Sequence, residues 1–194
     1  MQVRADNAFR PERPSPLGKL YEDLARETAR LDEALAGRLR CGPGCASCCV
    51  DEITVFEVEA ETIRSRHADL LAEGLPHPVG ACAFLEVDTG ACRIYENRPY
   101  VCRTQGYPLR WIDTLEDGTP VELRDICPIN DEAEDPPIET LPESDCWTLG
   151  PVEQSLAQLQ AETQGGVGVG RLRRVRLRDL FTRTAAPAGP NLET

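Results

Sequence analysis

The chain has 194 residues, enough for one domain with a modest core and flexible ends but too few for two full-sized domains. Sixteen prolines, fifteen glycines and few aromatic residues point to a loop-rich fold, and nine cysteines are available to hold it together. A net charge of -12 argues against nucleic acid and anionic membrane surfaces as partners, because an acidic body repels phosphate.

Residues 1–14 mix charge with proline and predict a disordered arm. Neither that arm nor the rest of the chain offers the long uncharged apolar run of a leader or a membrane span, so a cytoplasmic chain is expected. In a reducing compartment thiols rarely end in structural disulfides and serve instead as metal ligands or redox groups. Ser15 and Pro16 form an N-cap and a first helical position, and Leu17, Leu20, Leu24, Leu31 and Leu35 share one face, which predicts a helix over 16–37. It delivers the chain to Cys41-Gly-Pro-Gly-Cys45-Ala-Ser-Cys48-Cys49. Glycines 42 and 44 allow a tight turn, so three thiolates can converge. The neighbouring side chains of Cys48 and Cys49 are expected to diverge, leaving one of them to serve another metal, to bridge two, or to stay free.

Thr54 and Glu57 match a capping box and Ile53 with Val58 a hydrophobic staple, so a second helix is expected there. Its stripe is Phe56, Ala60, Ile63, His67 and Leu70, ended by Gly74. His67 and His77 read as structural rather than as ligands. Cys82–Glu86 with Ala91–Tyr95, and Leu109–Thr114 with Val121–Ile126, predict two hairpins, separated by a turn or single helical turn over Glu96–Cys102. Residues 128–145 are an acidic loop, and the carboxylates of 57–61 and 131–135 read as solvated charge. A third helix is expected over Gly150–Gln164. Residues 1–164 carry 15 basic and 31 acidic side chains of the chain's 21 and 33, which leaves 6 and 2 for the basic tail of 165–194. That tail is expected to be flexible, with the alternating run Arg171–Leu177 of its basic segment, Arg171–Arg183, able to form an edge strand or a docked tail on the acidic body.

The second cysteine group is Cys82, Cys92, Cys102 and Cys127. A metal tying these loops to the first group would contribute on the order of 10 kcal/mol of folding free energy. Four thiolates around Zn²⁺ or an oxidised [4Fe-4S] centre carry a charge of about minus two, which Arg98 and Arg103 are placed to offset. No Ser-His-Asp set, phosphate loop or dinucleotide fingerprint is present, and no catalytic residue is assigned.

The ordered motifs Cys41-x3-Cys45-x2-Cys48-Cys49, Cys82-Ala-Phe-Leu, Gly90-x-Cys92-x-Ile-Tyr-x-x-Arg98-Pro99-x-x-Cys102-Arg103 and Cys127-Pro128 resemble the YkgJ-type cysteine-cluster family. The resemblance implies a zinc- or iron-chelating domain with a motif core over 41–128 and Cys41, Cys45, Cys48, Cys49, Cys82, Cys92, Cys102 and Cys127 as metal ligands. Arg98, Pro99 and Arg103 accompany them, and Cys146 lies outside the set. The fold class expected is α+β: one small metal-organised domain over 15–164, with helices flanking short antiparallel strands. The function expected is chelation of zinc or iron, with an iron-sulfur protein of redox or enzymatic role as the alternative. The partner expected is a metal ion.

Overall fold

The computed structural model describes residues 15–42, 44–132, 135–163 and 173–183. The expected arm of 1–14 lies outside them, as do 164–172 and 184–194 of the tail. Helix α1 runs over Pro16–Ala34, its N-terminus capped where the Ser15 side chain accepts from the amide of Gly18, and Leu24 and Leu31 are its buried face. It stops before Gly37 because Leu35 leaves helical geometry and two turns lead out to Leu39.

Strand β1, Thr54–Phe56, precedes helix α2, Glu57–Arg66, which is followed by the short helix α3, Ala68–Glu73. The helix therefore starts further along the chain than the sequence suggested, at a half capping box in which only the N3 carboxylate takes part. Thr54 is spent in β1, and the carboxylate of Glu59 accepts from the amide of Phe56. Successive side chains of a strand point to opposite faces, and β1 uses both. Val55 enters a core with Ala60, Ile63, Phe84, Leu85, Ile94, Leu177 and Phe181, while Phe56 enters a second core with Leu24, Leu31, Tyr100, Trp147 and Leu156.

The hairpin expected over 82–95 reduces to a single bridge between Leu85 and Cys92. The cause is local: Leu85 N–H bonds to Cys82 C=O and Tyr95 N–H to Cys92 C=O, so each cysteine opens a tight turn instead of lying in a strand. Helix α4, Tyr100–Thr104, follows a 3-10 turn at Tyr95–Asn97. Strands β2, Leu109–Thr114, and β3, Pro120–Asp125, form the second hairpin as expected. Strand β4, Trp147–Thr148, adds to β2 in parallel, so the sheet is mixed and has the order β3-β2-β4. Helix α5 spans Pro151–Thr163.

The loop after Cys127 is pinned by arginines although Asp131 and Glu132 remain exposed to solvent. Buried Arg38 donates to the carbonyls of Asn130 and Pro136 and to Asp131, while Arg40 pairs with Glu132 and Asp135. Glu57 pairs with Arg64, and Glu59 is buried. The expected flexible tail is also corrected in its described part. Strand β5, Arg174–Arg176, pairs antiparallel with β1, and Val175, Leu177, Leu180 and Phe181 are buried in the first core. Apolar residues alternating with arginines give this segment one face to bury and one to leave in water. The result is a small mixed α+β domain. Among the described residues, no helix is long and apolar enough to cross a membrane.

Candidate metal centre

Each cysteine of the two groups sits in or beside a tight turn. Cys45 N–H bonds to Gly42 C=O and Cys49 N–H to Ala46 C=O, with Gly44 at φ +88°, a conformation an L side chain rarely adopts. Cys102 N–H bonds to Pro99 C=O at the start of α4. One backbone bond joins the two groups directly, from Cys82 N–H to Cys49 C=O at 2.8 Å.

These turns aim Cys45, Cys48, Cys49, Cys82, Cys92 and Cys102 at one cavity of about 360 Å³, whose wall is completed by Phe84, Ile94, Tyr95 and Arg98. All nine cysteines are free thiols. Adjacent Cys48 and Cys49 both line this cavity. A hydrogen bond from Cys49 pulls the Cys48 thiol down to about 6, with Arg98 helping, and the same interaction pushes Cys49 up. Burial raises Cys82 and Cys92 and pushes Cys102 up to about 12.

Cys41 and Cys127 lie apart from that cavity. Cys41 is exposed, and its sulfur accepts an N–H from Asn130 at 3.1 Å. Its thiol is raised first by partial burial, against the lowering effect of Asn130, and then by Cys127 nearby. Cys146 is buried among Arg110, Arg124 and Glu122, away from both groups.

Arg98 lies 3.7 Å from the centroid of the Tyr95 ring, and its positive charge favours the thiolates of Cys48, Cys92 and Cys102. Arg103 is turned to other work. It donates to the carbonyls of Arg98 and Glu96 and covers the Tyr21 ring, bracing the turn that carries Arg98. Neither guanidinium bonds to sulfur among the described residues. His67 bonds to Asn97, and His77 to the carbonyl of Pro78, so neither reaches the thiols.

Two residues without any motif shape the site. Asn130 is fully buried, and Gly106, at φ +100°, leaves room that a Cβ would take from the Cys41 sulfur at 2.7 Å. Only the short spacing from Cys127 to Asn130 hinted at the first.

Soft thiol donors in this number suit zinc or iron. They are not yet closed into a coordination shell: among the described residues, no three or more His, Cys, Asp or Glu side chains are placed so that they could hold a metal ion as they stand. A family model named CxxCxxCC and described as "Putative zinc- or iron-chelating domain" matches residues 40–128. Over this segment the chain is similar to the CxxCxxCC family. Its match runs through both cysteine groups and stops at Pro128, short of Asn130. No curated protein and no solved structure matches the chain.

Proposed function

We propose that this protein chelates zinc or iron through the thiolates of Cys45, Cys48, Cys49, Cys82, Cys92 and Cys102, in a reducing compartment such as the cytoplasm. The observation that carries this reading is that six thiols from separate turns line one cavity. Bound there, the metal supplies a multiply charged centre that thiolates neutralise and that ties the turns to one another. Each ligating thiol gives up its proton, and Arg98 offsets the negative charge that accumulates. Cys48 is already biased toward thiolate, while the burial of Cys82, Cys92 and Cys102 keeps them protonated until metal arrives.

Six donors exceed the four of a tetrahedral zinc site, and that surplus favours a second reading in which the centre is polynuclear, as in an iron-sulfur protein with a redox or enzymatic role. Metal analysis of anaerobically purified protein, with its ultraviolet-visible spectrum, separates the two. Colourless protein with zinc supports simple chelation, and brown protein with broad visible absorption supports the iron-sulfur alternative. Cys45→Ser and Cys92→Ser are expected to lower metal content and melting temperature; unchanged values in both variants would refute the assignment.

A further inference from the structure

The six-thiol cavity shares a wall with a second one. This neighbour encloses about 380 Å³ against the C-terminal half of α1, and its thiols are Cys41, Cys45, Cys48 and Cys102. Cys45, Cys48 and Cys102 line both cavities, Cys49, Cys82 and Cys92 only the first, and Cys41 only the second. Of these thiols Cys41 alone is exposed, Cys45, Cys48, Cys49, Cys92 and Cys102 are half-buried, and Cys82 is buried. The Cys41 sulfur is fixed on this wall by the Asn130 N–H and by the space left at Gly106. Asp32, on the same wall, adds a carboxylate, one oxygen of which accepts from the Tyr107 hydroxyl at 2.6 Å. The other charged groups there are Arg98, stacked on Tyr95, and Arg103, whose guanidinium is engaged by the Arg98 and Glu96 carbonyls and the Tyr21 ring.

We propose that the second cavity is the entry port for the metal, in which Cys41 takes the ion first and Cys45 and Cys48 pass it inward. The inference rests on the inner cavity being where the metal resides. The transfer is ligand exchange with no change of oxidation state. A zinc–sulfur bond forms to Cys41 as the incoming ion gives up a bound water or carrier ligand and that thiol's proton leaves to water. Bonds to Cys45 and Cys48 follow, releasing any proton still on those sulfurs. The bond to Cys41 then breaks, and that thiolate regains a proton from water. At every step the ion keeps sulfur ligands, so it is never stripped bare, and the port needs no closed coordination shell of its own.

The test uses metal-free full-length protein mixed with zinc held by a chromophoric chelator, and reads both the rate of zinc transfer and the final zinc per chain. Cys41→Ser and Cys41→Ala, at an exposed position, should reach the wild-type zinc content but several-fold more slowly. Cys146→Ala, away from both cavities, should change neither quantity, and Cys92→Ser should lower the final content. Wild-type rates in both Cys41 variants would overturn the port. So would a lower final zinc content in them, which would make Cys41 a resident ligand. Wild-type protein that takes up no zinc or iron would instead overturn the metal-binding reading itself, and the port with it.

Discussion

Asn130, a residue with no exposed surface, donates a side-chain N–H to the sulfur of Cys41 at 3.1 Å. The same amide also donates to Gly106 C=O, and its oxygen accepts from the amide of Arg40. One side chain thus joins three segments that meet beneath the first cysteine turn. Asn130→Ala removes the donor to the Gly106 carbonyl and the acceptor of one Arg40 N–H, and loss of a partner by a buried polar group costs about 1–3 kcal/mol. A lower urea midpoint is expected at that scale. In metal-free protein, alkylation of Cys41 should also slow, because the lost N–H was favouring its thiolate. Faster alkylation would contradict this.

Glu59 ties helix α2 to the second core. One carboxylate oxygen accepts from the Tyr21 hydroxyl at 2.7 Å and the Tyr100 amide at 2.8 Å, and the other accepts from the Phe56 amide at 3.1 Å. Glu59→Gln keeps the shape but turns one acceptor into a donor facing another donor. A loss of about 1–3 kcal/mol is expected from calorimetry or denaturant unfolding. Unchanged stability would mean that these bonds are replaced by water.

Arg178 ties the C-terminal segment to the stretch before Cys82, donating to Asp51 and to the carbonyls of His77 and Ala81. Arg178→Met should loosen residues 77–81 and with them the Cys82 turn. The expected result is weaker zinc retention in competition with a chelator, with Arg178→Lys intermediate. Equal retention in all three proteins would separate this anchor from the thiol cavity.

The stability of metal-free protein should peak with pH. Burial raises Cys82, Cys92 and Cys102 above the ordinary value of 9.0, Cys102 to about 12. Above pH 9 the unfolded chain loses these protons while the folded chain keeps them, so stability falls as pH rises toward 12. Cys48, drawn down to about 6, acts in the opposite sense and adds stability as pH rises from about 6 to 9. A melting-temperature series from pH 6 to 11 should rise and then fall; a flat alkaline limb would contradict burial of those thiols.

Stoichiometric metal release gives a fourth handle on the same turns. A strong chelator should lower the melting temperature of metal-loaded protein, because binding to the folded state alone stabilises it by mass action. It should leave metal-free protein unaffected.

The amino-acid sequence was informative wherever the cause is local. Spacing and caps place α1 and α5, and the turn at Asp117-Gly118 places the β2–β3 hairpin. Cysteine identity with glycine-permitted turns marks the first group, and the ordered motifs mark the family over 40–128. The Cys82–Tyr95 segment misled because its apolar alternation fits a hairpin, whereas its own turn bonds and the contact of Cys82 with Cys49 win over strand pairing. The alternation of arginines with apolar residues allowed the basic tail an edge strand, but its partner, β1, lies more than a hundred residues away in the chain and no sequence pattern identifies it.

Which thiol faces which cavity was decided only in three dimensions. Residue type and spacing determine that sulfur donors exist and that the backbone can turn around them. The direction each sulfur takes depends on bonds between remote segments, such as Asn130 to Cys41 and Arg178 to Ala81, and on the space that Gly106 leaves. Those bonds involve single residues outside any periodic or spaced pattern, because a hydrogen bond between remote segments constrains geometry without requiring a repeat in the chain.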